Sequence, residues 1–351
     1  MTPRFLIISH THHLLPWAWR LRKEGAQVEL VVAVKKYHRA WKGLLAKELH
    51  PKGSRLTAKE FLESDQWKEW KEAAEAGDLT ILTDWEQLSR ELEGVPNLYA
   101  KRGVARKDEG LPPLFLGGWI GPTGLAMPHL FVPDWGAWPG GGGMPVEGAG
   151  TLVRSPNGSV GGVPELLTNP AEELFAGGFR GLFRMGIQFD NLTREFQVQS
   201  VEPGWPFLHT HLFFSEIEQL LVLFLGDPQA VSLPKPYVCG IPVTVPPWPL
   251  HGNMIEGKGS GTQPIGGLPK EVRTNFFFHD MQKDDEKVTL ADLDGLVGIA
   301  QGSGLLPSGA KMRACAVAQT IQVPGKQWRG DVGGRVEALV MGLEEMGWVL
   351  G

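Results

Sequence analysis

The sequence predicts a protein of the α/β and α+β classes, with a parallel βαβ opening, a loop-rich centre and a C-terminal α+β module. Three observations lead to this prediction. At 351 residues the chain is too long for one ordinary core, so two or three domains are expected. A strand, a helix and a second strand follow one another near the N-terminus, which predicts a parallel sheet. From residue 236 onward, strand-like runs and helices mix over about a hundred residues, an ordinary domain size.

Composition narrows the class of partner and the compartment. A net charge of -5 gives no reason to expect nucleic acid as a partner. No apolar run is long enough to span a bilayer and no secretory signal pattern opens the chain, so no membrane partner is expected. Cys239 and Cys315 are the only cysteines, which excludes a disulfide framework and fits a reducing cytoplasm.

The first domain is predicted to cover residues 1–94 and to resemble the βαβ arrangement of Rossmann-like domains. Its first helix ends at Gly25, a residue type typical of the position just after a helix. The predicted elements are strands at 5–9, 28–34 and 79–82 and helices at 14–24, 56–77 and 85–92.

The turn after the first strand carries histidines instead of glycines. It reads His10-Thr11-His12-His13, whereas a dinucleotide fold places a Gly-x-Gly-x-x-Gly turn there so that phosphate can approach the backbone. A phosphate-cradling loop is therefore not expected. The histidines suggest a metal site, but His12 and His13 are adjacent and no carboxylate or cysteine joins them locally. The sequence favours polar loop residues at the C-terminal edge of a strand.

The central region, residues 95–235, is rich in loops and glycine. Residues 139–150 form a glycine-rich run that is either a linker or a loop whose backbone wraps a ligand, and taken alone it favours a linker. No Walker-type phosphate loop occurs in the chain. The other predicted elements are strands at 114–120 and 129–132, helices at 170–176 and 216–225, and a hairpin at 186–204.

The hairpin carries the most informative pattern. Polar and apolar residues alternate on both sides of an Asp190-Asn191 turn. A strand period of two sends Glu195, Gln197 and Gln199 to one face. A carboxylate and an amide oxygen on one strand can hold Mg²⁺. The alternation alone favours the simpler interpretation of a solvated polar face.

The C-terminal region, residues 236–351, is predicted to form a separate α+β domain. A turn rich in glycine, Gln327-Trp-Arg-Gly-Asp-Val-Gly-Gly-Arg335, lies between its two helices. The predicted elements are strands at 238–245, 275–279 and 295–300 and helices at 308–321 and 336–346.

Several of these segments, in order, resemble the phosphoribosylamine-glycine ligase (glycinamide ribonucleotide synthetase) family of ATP-grasp enzymes. The family's metal strand reads Glu-Phe-Asn-Val-Arg-Phe-Gly-Asp-Pro-Glu, and residues 195–204 read Glu-Phe-Gln-Val-Gln-Ser-Val-Glu-Pro-Gly. Its Gly-Pro-Asn-Thr-Gly-Gly-Met-Gly loop is similar to residues 143–150, and its Tyr-Arg-x-Asp-Ile-Gly-x-Arg turn is similar to residues 327–335. The resemblance covers residues 135–351.

The resemblance implies an ATP-grasp-like fold, with ATP and Mg²⁺ as cofactors. In the family a carboxylate such as glycine attacks ATP to give an acyl phosphate, which an amine such as phosphoribosylamine captures. The resemblance assigns the metal to Glu195 and Gln197, and the bracing of the C-terminal turn against the site to Arg329 and Asp331, for which a purely structural ion pair is the alternative. The residues that the resemblance places at the nucleotide or substrate are Gly143, Gly148 and Gly150 and, unless it is an ordinary surface lysine, Lys101.

The departures from the family suggest an alternative function. Gln199 replaces an arginine, Glu202 an aspartate and Gly204 a glutamate of the family pattern. The short interval between Gly94 and Pro139 leaves too little chain for the family's nucleotide-clamping subdomain. The chain is therefore either a shortened ligase or a weakened relative that binds a nucleotide, a phosphoribosyl ligand or a protein partner without turnover. A scaffold or carbohydrate-contacting protein with tryptophan-rich loops is a third interpretation, which the ordered matches disfavour.

Overall fold

The structure of the protein is a computed structural model. For Glu195 and for parts of several other strands, only the backbone is described. Lys101 and the helix predicted at 336–346 lie outside the described residues. The described residues are 2–47, 49, 52–100, 105–106, 114–138, 142–154, 164–190, 195–203, 220–225, 235–246, 248, 262–269, 272, 274–285, 287–291 and 293–334.

The N-terminal part contains a four-stranded parallel sheet, which confirms the predicted βαβ opening. The strand order is β2-β1-β3-β4. Helix α1 buries Leu15, Trp17 and Leu21, and it ends before Gly25, whose φ of 95° suits glycine. The elements are β1 (Arg4–Ser9), α1 (Leu15–Lys23), β2 (Gln27–Val32), α2 (Ala58–Leu62), α3 (Asp65–Glu75), β3 (Thr80–Thr83), α4 (Glu86–Glu91) and β4 (Leu98–Ala100).

The rest of the described chain is organised around a nine-stranded antiparallel sheet. Its strand order is β12-β15-β11-β8-β7-β6-β9-β10-β5, so strands from both sides of residue 236 share one sheet. The strands are β5 (Ala105–Arg106), β6 (Leu114–Gly121), β7 (Gly124–Trp138), β8 (Gly142–Arg154), β9 (Gly181–Asp190), β10 (Glu195–Pro203), β11 (Tyr237–Thr244), β12 (Phe276–Phe278) and β15 (Leu296–Gly304). A separate hairpin joins β13 (Met281–Asp284) and β14 (Lys287–Leu290), and the helices are α5 (Pro164–Ala176), α6 (Leu220–Leu225) and α7 (Pro307–Thr320).

The glycine-rich run is a strand over residues 142–150, so the favoured interpretation of 139–150 as a linker is wrong there. β8 lies between β7 and β11 and pairs with both. Glycine has a weak intrinsic preference for strands, but two flanking strands offer partners to its N–H and C=O groups whatever its side chain. The neighbours in the sheet, which the local composition does not reveal, decide the conformation.

The two faces of the large sheet differ. One face packs on α7, where Gly302 leaves no room for a side chain against Ala310 and Ala314. The opposite face, here called the front face, is defined by the row of paired residues Val153, Phe131, Phe115, Gly186 and Ser200. Because cross-strand neighbours and every second residue share a face, the front face also carries Thr151, Arg184, Gln188, Gln197, Glu202 and Gln301.

In the described part of the chain, the helices are too short or too polar for any of them to cross a bilayer.

Candidate functional site

The predicted metal strand is β10, paired with β9 as a hairpin. Glu195 lies directly opposite Asp190 in the register. The exposed Gln197 donates its Nε2–H to Asp190 Oδ2 over 2.9 Å. Two acidic residues at opposite register positions repel each other, and a cation between them removes that cost. The structure thus adds Asp190 to the oxygen donors that the sequence predicted at this place.

A β-bulge at Gln199 changes the alternation that the sequence predicted. Val198 pairs with Ile187 and Ser200 pairs with Gly186, which leaves Gln199 as the extra residue. The Gln199 amide donates to the side-chain oxygen of Gln188, so Gln199 lies on the front face as predicted. Uninterrupted alternation would send Ser200 away from that face, and the bulge returns it there.

Glu202 is engaged in a buried ion pair. Arg184 reaches its Oε2 with Nε at 2.6 Å and Nη2 at 2.5 Å, and Ser200 Oγ donates to Oε1 over 3.1 Å. The Arg184 guanidinium also lies 4.3 Å from the centre of the Phe115 ring. Both carboxylate oxygens are therefore occupied, and this carboxylate braces the hairpin against β6 instead of facing a ligand.

The glycine-rich strand meets the C-terminal turn. Gly150 lies so close to Val332 that a Cβ on Gly150 would be 2.6 Å from Val332 Cγ1. Within the turn, the buried Arg329 holds Asp331 with two parallel bonds, Nε to Oδ1 at 2.9 Å and Nη2 to Oδ2 at 2.8 Å. Backbone hydrogen bonds in both directions between Thr244 and Gln327 tie the turn to β11. The structure thus packs Gly150 on the turn that carries Arg329 and Asp331.

The hairpin and the glycine-rich strand lie at the same end of the sheet. Val153 and Ser200 lie in one row across the sheet, and β8 and β10 run in the same direction. Gly150 and Gln197, each three residues before that row, therefore lie toward the same end of the strands. Four strand spacings separate β8 from β10, roughly 19 Å. Gly143 and Gly148 occupy β8 as well, nearer its start than Gly150.

Buried polar atoms without partners lie on the front face. Thr151 Oγ1 and both polar atoms of the Gln301 side chain are buried and make no hydrogen bond. Both residues pair with Gly240, so they flank it on neighbouring strands. Leaving such atoms unpaired costs about 1–3 kcal/mol each. These buried groups are therefore left unsatisfied by the protein itself on this face.

A second cluster lies at the C-terminal edge of the parallel sheet. His12 is only 1% exposed, and its Nε2 lies 3.3 Å from Asp294 Oδ2. The rings of His12 and His13 are 4.8 Å apart, centre to centre. One donor atom from each of these three residues lies within 4.8 Å of the others. The sequence singled out both histidines but gave no local signal for Asp294, which comes from the other end of the chain.

Asp280 holds the loop that carries Asp294. Its buried carboxylate accepts hydrogen bonds from the backbone N–H groups of Ala291, Leu293, Asp294 and Gly295, at 2.9 to 3.2 Å. Burial, followed by the nearby charge of Asp294, raises the pKa of Asp280. Burial also acts to raise the pKa of Asp294, but the nearby charge of His12 holds that pKa well below its usual value. Burial acts to lower the pKa of His12, but the negative charges of Asp294, Asp280 and Asp84 outweigh burial. The pKa of His12 is therefore raised.

The parallel N-terminal sheet followed by the large antiparallel sheet defines an ATP-grasp-like fold. The solved structures that resemble it include a phosphoribosylamine-glycine ligase from Thermotoga maritima, with a TM-score of 0.56 and 13% identity over 93% of this chain and 99% of that one. A Rhizobium etli pyruvate carboxylase matches with a TM-score of 0.54 and 11% identity over 97% of this chain. A Kluyveromyces lactis urea carboxylase matches with a TM-score of 0.53 and 11% identity over 98% of this chain.

These likenesses concern the fold. The chain spans nearly the whole ligase but only 37% of the pyruvate carboxylase and 32% of the urea carboxylase. No protein-family profile matches the sequence, and no curated protein matches it either.

Proposed function

We propose that the protein is an ATP-dependent ligase of the ATP-grasp type, which joins a small carboxylate to an amine. The observation that carries this proposal is the arrangement on the front face of the sheet. The acidic hairpin position at Asp190 lies on that face, at the end of the sheet where the glycine-rich strand β8 begins, whereas Gly150 itself lies on the opposite face. Unpartnered polar groups of Thr151 and Gln301 share the same face. The fold and this arrangement support the proposal together.

The proposed reaction has two steps. A carboxylate oxygen of the substrate attacks the γ-phosphorus of ATP, the bond to the bridging oxygen breaks, and ADP leaves. The amine then attacks the carbonyl of the acyl phosphate, phosphate leaves with the bonding electrons, and the amine loses a proton. Such phosphoryl transfer depends mainly on positioning and on neutralising charge.

Mg²⁺ fits the oxygen donors of the hairpin. Asp190, Glu195 and Gln197 would hold it, since carboxylate and amide oxygens are its preferred protein ligands. When bound, the ion neutralises phosphate charge. The residues themselves orient it: the Gln197 amide fixes the Asp190 carboxylate, and Arg184 keeps Glu202 out of the ligand set.

The proposed substrates are a glycine-like carboxylate and a phosphoribosylamine-like amine, as in purine biosynthesis. The solved ligase that resembles this chain over nearly its full length supports this choice above the carboxylases. A cytoplasmic setting is part of the proposal, because neither Cys239 nor Cys315 forms a disulfide.

A second candidate is a protein that binds the nucleotide without turnover. Among residues 95–138, those that the structure describes belong to strands of the two sheets or to their tight turns, and none of them forms a lid over the hairpin. The Arg184–Glu202 ion pair also makes one carboxylate of the front face unavailable to a metal ion. A protein partner that supplies the covering part would fit this version.

Calorimetry with Mg-ATP separates the two candidates from a protein that binds no nucleotide. We expect the wild type to bind Mg-ATP and Asp190→Asn and Glu195→Ala to bind it at least about tenfold more weakly, because each removes a negative charge from the groups that would hold the metal. Glu172→Ala, at an exposed position of α5, is the matched control and should bind as the wild type does.

Turnover is then measured as ADP release with glycine and phosphoribosylamine. ADP release that depends on both substrates supports the ligase. Nucleotide binding without ADP release supports the second candidate, and absence of Mg-ATP binding by the wild type removes both.

A further inference from the structure

We propose that His12, His13 and Asp294 form a binding site for a divalent transition metal of the Zn²⁺ class, which connects the N-terminal sheet to the C-terminal part of the chain. This site is separate from the acidic hairpin on the large sheet. It does not depend on the proposed ligase function, because its ligands and its expected metal are different.

The geometry supports a metal because the three donors already converge. Their ligand atoms lie within 4.8 Å of one another, and His12 Nε2 is 3.3 Å from Asp294 Oδ2. Zn²⁺ binds imidazole nitrogen and carboxylate oxygen at about 2.0–2.2 Å in a tetrahedral arrangement, which places its ligand atoms roughly 3.4 Å apart. Small side-chain rotations therefore suffice to close the site.

The burial of His12 is a second and independent indication. Its ring is almost completely buried, and both ring nitrogens lack a hydrogen-bond partner, including Nε2, which faces Asp294 across 3.3 Å. A buried polar atom without a partner costs about 1–3 kcal/mol, so such atoms are rare unless a ligand or a water completes them. A metal-bound imidazole would make use of a nitrogen that the protein leaves unpaired.

The surroundings of Asp294 hold it as outer-shell groups hold a metal ligand. Asp280 accepts four backbone N–H groups from the loop 291–295, and the Leu296 N–H donates to Asp294 Oδ1 over 3.0 Å. Such second-shell contacts orient ligands and are worth about 10–100-fold in metal affinity. The loop thus presents its carboxylate toward His12 with little freedom to turn away.

The ligand types select the metal. Two imidazoles and one carboxylate suit Zn²⁺ or Co²⁺, whereas Mg²⁺ requires an octahedron of oxygens. Three protein ligands also leave one tetrahedral position for water or for a substrate donor, as in catalytic zinc sites.

The test uses the full-length protein without a histidine tag, stripped with a chelator and free of ATP. Zn²⁺ is titrated by calorimetry, and Co²⁺ by its visible absorption, which intensifies in a tetrahedral site. We expect one equivalent of each metal to bind to the wild type. His13→Ala and Asp294→Asn should bind at least about 100-fold more weakly, since the loss of an outer-shell group alone costs about 10–100-fold. His38→Ala, which changes a partly exposed histidine outside the cluster, should bind as the wild type does.

Thermal melts guard against loss of folding in the variants. His13 is partly exposed, so His13→Ala should fold, and Zn²⁺ should raise the melting temperature of the wild type but not of this variant. Absence of stoichiometric Zn²⁺ and Co²⁺ binding by the wild type would overturn the proposal. Equal binding by folded His13→Ala and Asp294→Asn would also overturn it. Neither result depends on whether the protein uses ATP.

Discussion

Gly150 of the glycine-rich strand packs directly on Val332 of the C-terminal turn, with no space for a Cβ between them. This contact fixes the strand β8 relative to the turn that holds the Arg329–Asp331 ion pair. The two segments that the family resemblance singled out separately are therefore one packed unit. Its stability is open to direct measurement.

We expect Gly150→Ala to lower the free energy of unfolding by about 1–3 kcal/mol, because the added methyl group overlaps the Val332 side chain. Urea denaturation measures the effect. The double variant Gly150→Ala with Val332→Ala should lose less stability than the sum of the two single losses, because the smaller side chain leaves room for the added methyl group. Gly53→Ala, where a Cβ meets nothing within 4 Å, is the control and should change stability by less than about 0.5 kcal/mol. Equal effects at both glycines would contradict the packing described.

The Arg184–Glu202 pair predicts a strong asymmetry between single and double replacements. Arg184→Met should destabilise the protein by about 3–5 kcal/mol, because it leaves a buried carboxylate without its partner. Replacing both residues, with Met and Leu, should restore most of that loss, since a well-packed apolar pair often matches a buried ion pair. Chemical denaturation of both variants checks this. A double variant no more stable than Arg184→Met would argue against the pair as the cause.

Asp280 should determine the order of the loop 291–295. In Asp280→Ala several backbone N–H groups lose their acceptor, and we expect the free energy of unfolding to fall by about 3 kcal/mol or more. Amide hydrogen exchange should accelerate at residues 293–295 in particular. Asp284→Ala, at an exposed carboxylate of β13, is the control and should leave that exchange unchanged. Unchanged protection in Asp280→Ala would show that the loop is held by other contacts.

Lys47 should make the free energy of unfolding depend on pH in the alkaline range. Burial lowers the pKa of Lys47 to about 8 from its ordinary 10.5, while its ammonium donates to the carbonyls of His38 and Ala40. Between these two values the unfolded chain binds more protons than the folded one, so the free energy of unfolding should rise as pH increases from about 8 to 10.5. Below pH 8 the contribution of Lys47 to the free energy of unfolding does not change with pH.

Lys47→Gln separates this contribution from other titrations, because the amide still donates hydrogen bonds but does not ionise. Urea denaturation across the alkaline range should show a smaller rise in stability for the variant than for the wild type. Parallel curves for the two proteins would mean that Lys47 titrates normally in the folded state.

Local patterns in the sequence predicted much of the fold. The short apolar runs around Ile7 and Leu30, separated by one amphipathic helix, predicted the parallel sheet because period and length distinguish these elements locally. Alternation from Phe189 to Val198 likewise predicted the hairpin. Composition could not show that β8 is a strand, since its conformation depends on β7 and β11.

The sequence by itself determined the strands and helix of the parallel opening, the hairpin, the order of the family-like segments and the histidines after β1. Only the tertiary structure decided that Asp294 lies beside His12 and His13 and that Arg184 forms an ion pair with Glu202. It also decided that the bulge at Gln199 returns Ser200 to the front face. The physical reason is distance along the chain. Local propensity and periodicity are properties of neighbouring residues, whereas ion pairs, strand registers and metal clusters form between segments that meet only when the sheets assemble.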